Sequence, residues 1–278
     1  MAGNKAAIKS RIKSINATKK ITGAMQLIAS VKLQRTRNLM FKNKQYANAI
    51  KSTVAKMLSG DIEIDNEYLK EKDAPLKVYF VFASDMGLCG GYNINLDKVV
   101  RSEVSKDDLI YYFGTENYSK LKEDGYNIRN KMTPSDSIDY ITLKSFVDST
   151  ILRFKDNEIN SINVIYTVFE NNVSFKPIVE KVLPCGKVEG EINHKEILFE
   201  PSPDKILNDL IPMMVDNEIY ARYLEAKASE HGSRRFAMEN ATDNANELTD
   251  ELLLEYNQAR QAAITTELNE IVAGADAL

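Results

Sequence analysis

Two long stretches of this chain are almost free of the residues that stop helices. Between Asn4 and Ser59 there is no proline and one glycine, Gly23; between Met213 and Ala273 there is again no proline and one glycine, Gly232. Proline and glycine cost a helix interior about 3 and 1 kcal/mol, so near-absence over such lengths points to two continuous helices. All seven prolines and most of the glycines fall between Gly60 and Pro212. Apolar side chains inside the two stretches recur at helical spacing. Ile8, Ile12 and Ile15 form one series, Ile21, Met25 and Ile28 a second, and Ile50, Val54 and Met57 close the first stretch. In the other, Ile219, Tyr223 and Ala226 lead to Leu248 and Leu252, then to Ile264, Leu268 and Ile271. At about 1.5 Å per residue the helices would extend roughly 80 and 90 Å. Ordinary helices average about 12 residues, so these two must supercoil with a partner or cross several smaller elements.

Charge identifies the partner. Residues 1–60 carry 13 Lys or Arg and no Asp or Glu, whereas residues 203–278 carry 15 acidic and 6 basic side chains. The simplest pairing is of one with the other, as an antiparallel hairpin with a folded insert between its arms. Exposed ion pairs contribute under about 1 kcal/mol each, so the charges select the mate while burial of the apolar stripes supplies the stability. Many expected contact positions are small: Ala221, Ala226, Ala228, Ser229, Gly232, Ser233, Ala237, Ala241 and Ala245. They permit close helix approach, and the helix propensity of alanine accounts for the alanines equally well. Lys19, Thr22 and Gln26 fall near the seam, so the stripe is not a clean apolar heptad.

The insert differs in kind. Lys77–Ala83, Leu109–Phe113, Ile162–Phe169 and Pro177–Leu183 read as strands, and Leu96–Ser105, Glu116–Asp124 and Ile138–Lys155 as helices between them. That alternation gives a fold class of α/β with a long antiparallel coiled coil: N- and C-terminal helices paired around a central doubly wound, Rossmann-like domain. The expected segments are 1–60, 61–202 and 203–278.

Little of this carries chemistry. The loop Ser84-Asp85-Met86-Gly87-Leu88-Cys89-Gly90-Gly91 follows the first strand, where α/β sheets bind ligands. Yet it reads G-x-x-G-G, which matches neither the dinucleotide fingerprint nor the Walker pattern. Cys89 has no histidine nearby in sequence to lower its pKa, and a tight strand-to-helix turn is the better reading. His194 and His231 are far apart and lack metal-ligand spacing, so no metal and no cofactor is expected. The two cysteines form no CxxC pair, and a reducing compartment is the default. The carboxylates offer no catalytic pair. Net charge is −4, and the cationic first helix lacks interleaved aromatics over its first 40 residues, so no nucleic acid is expected. No run of 18 apolar residues spans a bilayer. Met1–Ser10 has no apolar core of a secretory signal and reads as mature structure. One basic group stands out: after Arg235 the sole Lys or Arg is Arg260, followed by Gln261, among nine acidic residues. It is either an internal ion pair or a donor fork for a partner carboxylate.

Three strings carry a family resemblance. Ile8–Ile15 with Thr18–Met25, the loop Ser84–Asn93, and Ser229–Ala245 with Tyr256–Leu268 and Glu270–Ala275 resemble the signatures of F-type ATP synthase gamma subunits, end to end. The resemblance implies a shaft that turns inside three alpha and three beta subunits and makes or breaks no bond itself. Its α/β foot would lie beside the epsilon subunit and on the membrane c-subunit ring, with delta, a and b in the same complex. Ion flow, by protons, would turn the ring and shaft, and the asymmetric shaft would set three different affinities in the beta subunits. By position, Arg260 and Gln261 match a contact with a beta-subunit loop, Met25 and Arg234 match shaft positions implicated in coupling, and Thr265 and Glu267 share the face of the tip contact. In the central loop, with Asp85, Cys89 is similar to a position near beta or epsilon. The regulatory cysteine pair of chloroplast relatives is missing, which favours a bacterial enzyme at the cytoplasmic face of the plasma membrane. Two other readings remain: an enzyme built on the α/β insert, and a nucleic-acid or membrane scaffold built on the cationic helix. Neither explains the C-terminal string.

Overall fold

The computed structural model describes residues 2–58, 66–169, 175–185 and 202–276. Its contacts define two compact units, Met1–Ser30 with Arg234–Leu278, and Val31–Ser233. The first long helix, α1 (Ala2–Leu58), and the last, α5 (Pro203–Asp276), contribute to both.

In the unit 31–233 the insert folds into a four-stranded sheet of order β2-β1-β3-β4. The strands are β1 (Leu76–Phe82), β2 (Leu109–Phe113), β3 (Ile159–Phe169) and β4 (Phe175–Leu183). β1 pairs in parallel with β2 and β3, and β4 closes the edge antiparallel to β3. The helices between are α2 (Tyr92–Glu103), α3 (Tyr118–Glu123) and α4 (Tyr140–Lys155). Strands buried on both faces read as continuous apolar runs, and β1 shows why. Val78, Phe80 and Phe82 face one core with α4, α1 and α5; Tyr79, Val81 and Ala83 face another with α2 and α3. Helices therefore cover both faces of the sheet, as the doubly wound reading expects. Gly114, just after β2, takes φ +133, and a Cβ there would stand 2.9 Å from the backbone of Ala83, so the ends of β1 and β2 approach closely only because this residue is glycine.

α5 starts before the last proline, so Pro212 lies inside it. The missing N–H breaks one bond of the ladder. Leu207, Ile211, Val215 and Ile219, buried on either side, hold the helix through the break.

Along α1 the buried or half-buried positions Ile8, Ile12, Ile15, Lys19, Thr22, Gln26 and Ala29 alternate in steps of four and three. The same series runs on through Leu33, Thr36, Met40, Asn43, Ala47, Ile50, Val54 and Met57. By position this is a regular 3.5-residue repeat; it is the occupants that are irregular. The Ile21–Met25–Ile28 series does not fill it: Ile21 is 61% exposed and Ile28 59%, because each lies one residue off the seam. In the unit 1–30 with 234–278 the helices run antiparallel, with Lys5 over the Tyr256 ring (5.9 Å) and the Thr22 hydroxyl 2.8 Å from that of Thr242. Each threonine also faces a backbone carbonyl of its own helix, Lys19 and Met238, so this polar seam position is hydrogen-bonded. In the other unit Asn43 and Asn217 exchange side-chain amide bonds across α1 and α5 (3.2 and 3.5 Å).

Candidate functional site

The loop after β1 is closed by its own side chains. Asn93 Nδ2 donates to Ser84 Oγ (2.7 Å) and to the Cys89 sulfur (3.4 Å), and Ser84 Oγ donates to the Met86 carbonyl (2.9 Å). Leu88 and Gly90 take φ 59 to make the turn. Cys89 is 1% exposed, and its thiol points at the Met86 carbonyl (3.7 Å), an arrangement for a packed thiol and not for a nucleophile.

Asp85 has a structural partner that the sequence did not announce. Its carboxylate accepts the backbone N–H groups of Ser135 (2.7 Å) and Asp136 (2.8 Å), capping a 3-10 turn at Ser135–Ser137. Its carbonyl accepts the Thr115 hydroxyl (2.7 Å). In open α/β sheets, ligands bind in the crevice at the carboxyl ends of the strands. Here α5 occupies that place. Ser233 Oγ donates to the Cys89 carbonyl (2.6 Å), Tyr92 donates to the Ala226 carbonyl (3.2 Å), Ser229 Oγ donates to the Thr167 carbonyl (2.7 Å), and the Tyr223 hydroxyl donates to the Ser135 carbonyl (2.9 Å). The small residues Ala226, Ala228, Ser229, Gly232 and Ser233 are all buried in this contact region.

A charged cluster forms beside the turn. Lys227, buried on α5, donates to Ser135 Oγ (2.9 Å), Glu230 (2.6 Å) and Asp136. Lys32 of α1 reaches the other oxygen of Asp136 (2.7 Å). Burial pushes the Asp136 carboxyl up, but the bonds from Lys227 and Lys32 outweigh it and hold the group well below the usual carboxylate range. Burial likewise disfavours the Lys227 cation, and Glu230 and Asp136 overcome it, so the ammonium is held above its ordinary pKa. Two cations of α1 reach the insert: Lys32 goes to the turn, and Arg37 stacks on the Phe169 ring (4.7 Å). A cavity of about 420 Å³ lies between α1 and α5, lined by Met40, Phe41, Ile50, Met214 and Arg222 among others, and no residue of the 84–91 loop lines it. Among the described residues no group of three His, Cys, Asp or Glu is placed to hold a metal.

The remaining candidates lie on the helices of the unit 1–30 with 234–278. Arg260 and Gln261 are exposed, and the Gln261 carbonyl accepts the hydroxyl of exposed Thr265 (3.0 Å). Met25 and Arg234 are half-buried. Glu267 belongs to α5, but its side chain lies outside the described ones. Arg234 and Arg260 are separated by continuous helix worth about 39 Å, so they form two stations and not one cluster. Lys227 and Asp136 escaped the sequence reading, and Tyr223 entered it only as an apolar stripe position; the one local signal was Pro134-Ser135-Asp136-Ser137, a turn composition.

The structure is thus that of long antiparallel helices carrying a doubly wound sheet whose ligand crevice is filled by the chain's own helix. A family profile described as ATP synthase matches residues 4–278. The ATP synthase gamma chain of Actinobacillus pleuropneumoniae serotype 5b is 36% identical over 289 residues, covering 100% of each chain. The gamma chain of Acetobacterium woodii, named as sodium ion specific, is 33% identical over 301 residues, again with 100% of each covered. Among solved structures, a chain of the Euglena gracilis mitochondrial ATP synthase (OSCP/F1/c-ring) matches the fold with TM-score 0.66 at 17% identity, covering 100% of this chain and 95% of that one. This chain belongs to the ATP synthase gamma-chain family. It is a central-stalk subunit of a membrane-associated complex, not itself catalytic, and among its described residues no helix is long and apolar enough to cross a membrane.

Proposed function

We propose that the chain is the rotor shaft of its complex, turned by a c-subunit ring and turning within three alpha and three beta subunits. Segments 1–60 and 203–278 act as the shaft and 61–202 as the foot, which meets epsilon and the ring; delta, a and b complete the complex. The coupling ion is the proton and the foot lies at the cytoplasmic face of a bacterial plasma membrane. The observation that carries the reading is surplus apolar surface. The α1–α5 seam is already occupied, yet Ile21, Leu27, Ile28, Leu254, Ile264, Leu268 and Ile271 stay exposed. Apolar surface on that scale belongs against a partner, and a sleeve of subunits supplies one. Arg260 and Gln261, exposed on the same helix, offer directional donors to a beta-subunit carboxylate; Met25, Arg234, Thr265 and Glu267 support the contact along the shaft.

Replacing Arg260 and Gln261 together by alanine is expected to lower coupled ATP synthesis in membrane vesicles without changing the unfolding midpoint, since both are exposed. Coupling equal to the natural chain removes the pair from the mechanism. Purification of the tagged complex should give one copy of this chain per three alpha and three beta subunits.

A further inference from the structure

We infer that Asp136 is the joint that fixes the sheet to both long helices, with Lys32 and Lys227 as positioning residues that let torque pass from foot to shaft without slip. The inference rests on the rotor reading. Apolar contacts are non-directional, so a helix held by them alone resists separation better than it resists turning about its axis. Resistance to twist needs bonds with direction. The Asp136 carboxylate takes one from α1, through Lys32 (2.7 Å), and one from α5, through Lys227. Its own backbone N–H is held by Asp85 (2.8 Å), from the loop that ends β1. The turn is pinned a second time by the Tyr223 hydroxyl on the Ser135 carbonyl and by Lys227 on Ser135 Oγ. Three elements far apart in sequence therefore meet on one residue, two at its carboxylate and one at its backbone N–H. The Asp136 side chain is 44% exposed and that of Lys32 48%, and exposed ion pairs contribute under about 1 kcal/mol, so stability alone is a weak account of this cluster. A fixed angular setting between sheet and helices is what the cluster adds.

The test uses the assembled complex carrying Lys227→Met, Asp136→Asn or, as the conservative control, Lys227→Arg. Amide exchange at residues 135–138, the angular spread of a probe on the foot of a stalled complex, and ATP synthesis against hydrolysis are read together. The expected result for the first two variants is roughly tenfold faster exchange at the turn, a broader angular spread, and synthesis reduced more than hydrolysis, with Lys227→Arg close to the natural chain. Faster exchange with natural angular spread and natural synthesis would overturn the inference, because the cluster would then only hold the turn; unchanged exchange overturns it as well. If neither of these variants assembles, Lys32→Met removes a partner that is 48% exposed and carries the same readouts. A natural complex whose probe never rotates on ATP refutes the rotor reading, and the inference with it.

Discussion

Replacing Gly232 by alanine sets two effects of similar size against each other, and the structure decides the sign. Alanine in a helix interior is worth about 1 kcal/mol over glycine. Against that, the new Cβ would stand 2.8 Å from Phe169 Cε2, 3.1 Å from Phe175 Cε1 and 3.4 Å from Phe175 Cζ. Carbon atoms sit comfortably at about 3.5–4.0 Å, so the Phe169 ring must retreat by roughly 0.7 Å or more. It has little room, with the Phe175 ring centroid 6.1 Å away and the Arg37 guanidinium 4.7 Å from its own. Overpacking of this kind costs about 1–3 kcal/mol, so the net expectation is a loss near 1 kcal/mol, and more for Gly232→Val. The assay is urea unfolding of the full chain with amide exchange followed through α5 at 229–236, because two compact units need not unfold together. In a Phe169→Leu background the ring is gone, and Gly232→Ala should turn neutral or stabilising. A gain of the whole 1 kcal/mol in the natural background would refute the argument, since the rings would then not need the notch.

The pH dependence has a worked sign. Burial raises the Glu218 and Glu225 carboxyls above 4.5, against the pull of Arg222, so between neutral pH and that value the folded chain binds more protons than the unfolded one and stability rises as pH falls. Asp136 is depressed, so below its ordinary value of 3.8 the unfolded chain binds more protons and that contribution is lost on further acidification. Unfolding followed from pH 7 to 3 should show a maximum on the acid side of neutrality, and Glu218→Gln should flatten its rise; a monotonic loss from pH 7 downward contradicts the assignment. Both thiols should resist labelling in the folded chain and react on unfolding: Cys89 is buried, and Cys185 is buried with its pKa pushed up to about 12, chiefly by desolvation. Rapid modification of either without unfolding contradicts the packing.

Much of the insert was legible because its signals are local. The Leu109–Phe113 strand matches residue for residue, and the other strands and helices fall within a few residues of their expected places. Pro177 and its neighbours read as a strand, but nothing in the run tells that β4 pairs antiparallel, since direction depends on how short the connection from β3 is. The seam of α1 was half legible. Period and polarity disagree there: Thr22 and Ala29 hold seam positions while Ile21 and Ile28 do not, because Thr22 finds a hydroxyl on α5 that lies 220 residues away. The Asp136 cluster was not legible at all. Its lysines lie 104 and 91 residues from the aspartate, and no spacing rule reaches that far.

The charge asymmetry of the two long helices pointed to the right partner, and the chemistry of the seam is a separate matter. A cationic α1 and an acidic α5 pack together, and the described contacts between them include a hydroxyl pair, an amide pair and a cation over a ring. Exposed ion pairs are worth little, whereas a buried position tolerates only groups whose hydrogen bonds are met, so seam chemistry follows satisfaction and not net charge. A cluster of charges, Asp136 with Lys32 and Lys227, is placed where the sheet meets the helices. There a doubly wound domain would ordinarily hold a ligand in its crevice, and the ligand's place is taken by Tyr223, Lys227, Ser229 and Ser233 of the chain's own helix. Filling the crevice gives the ligand's place to the chain itself and supplies, with the same residues, a fixed attachment of α5 to the sheet.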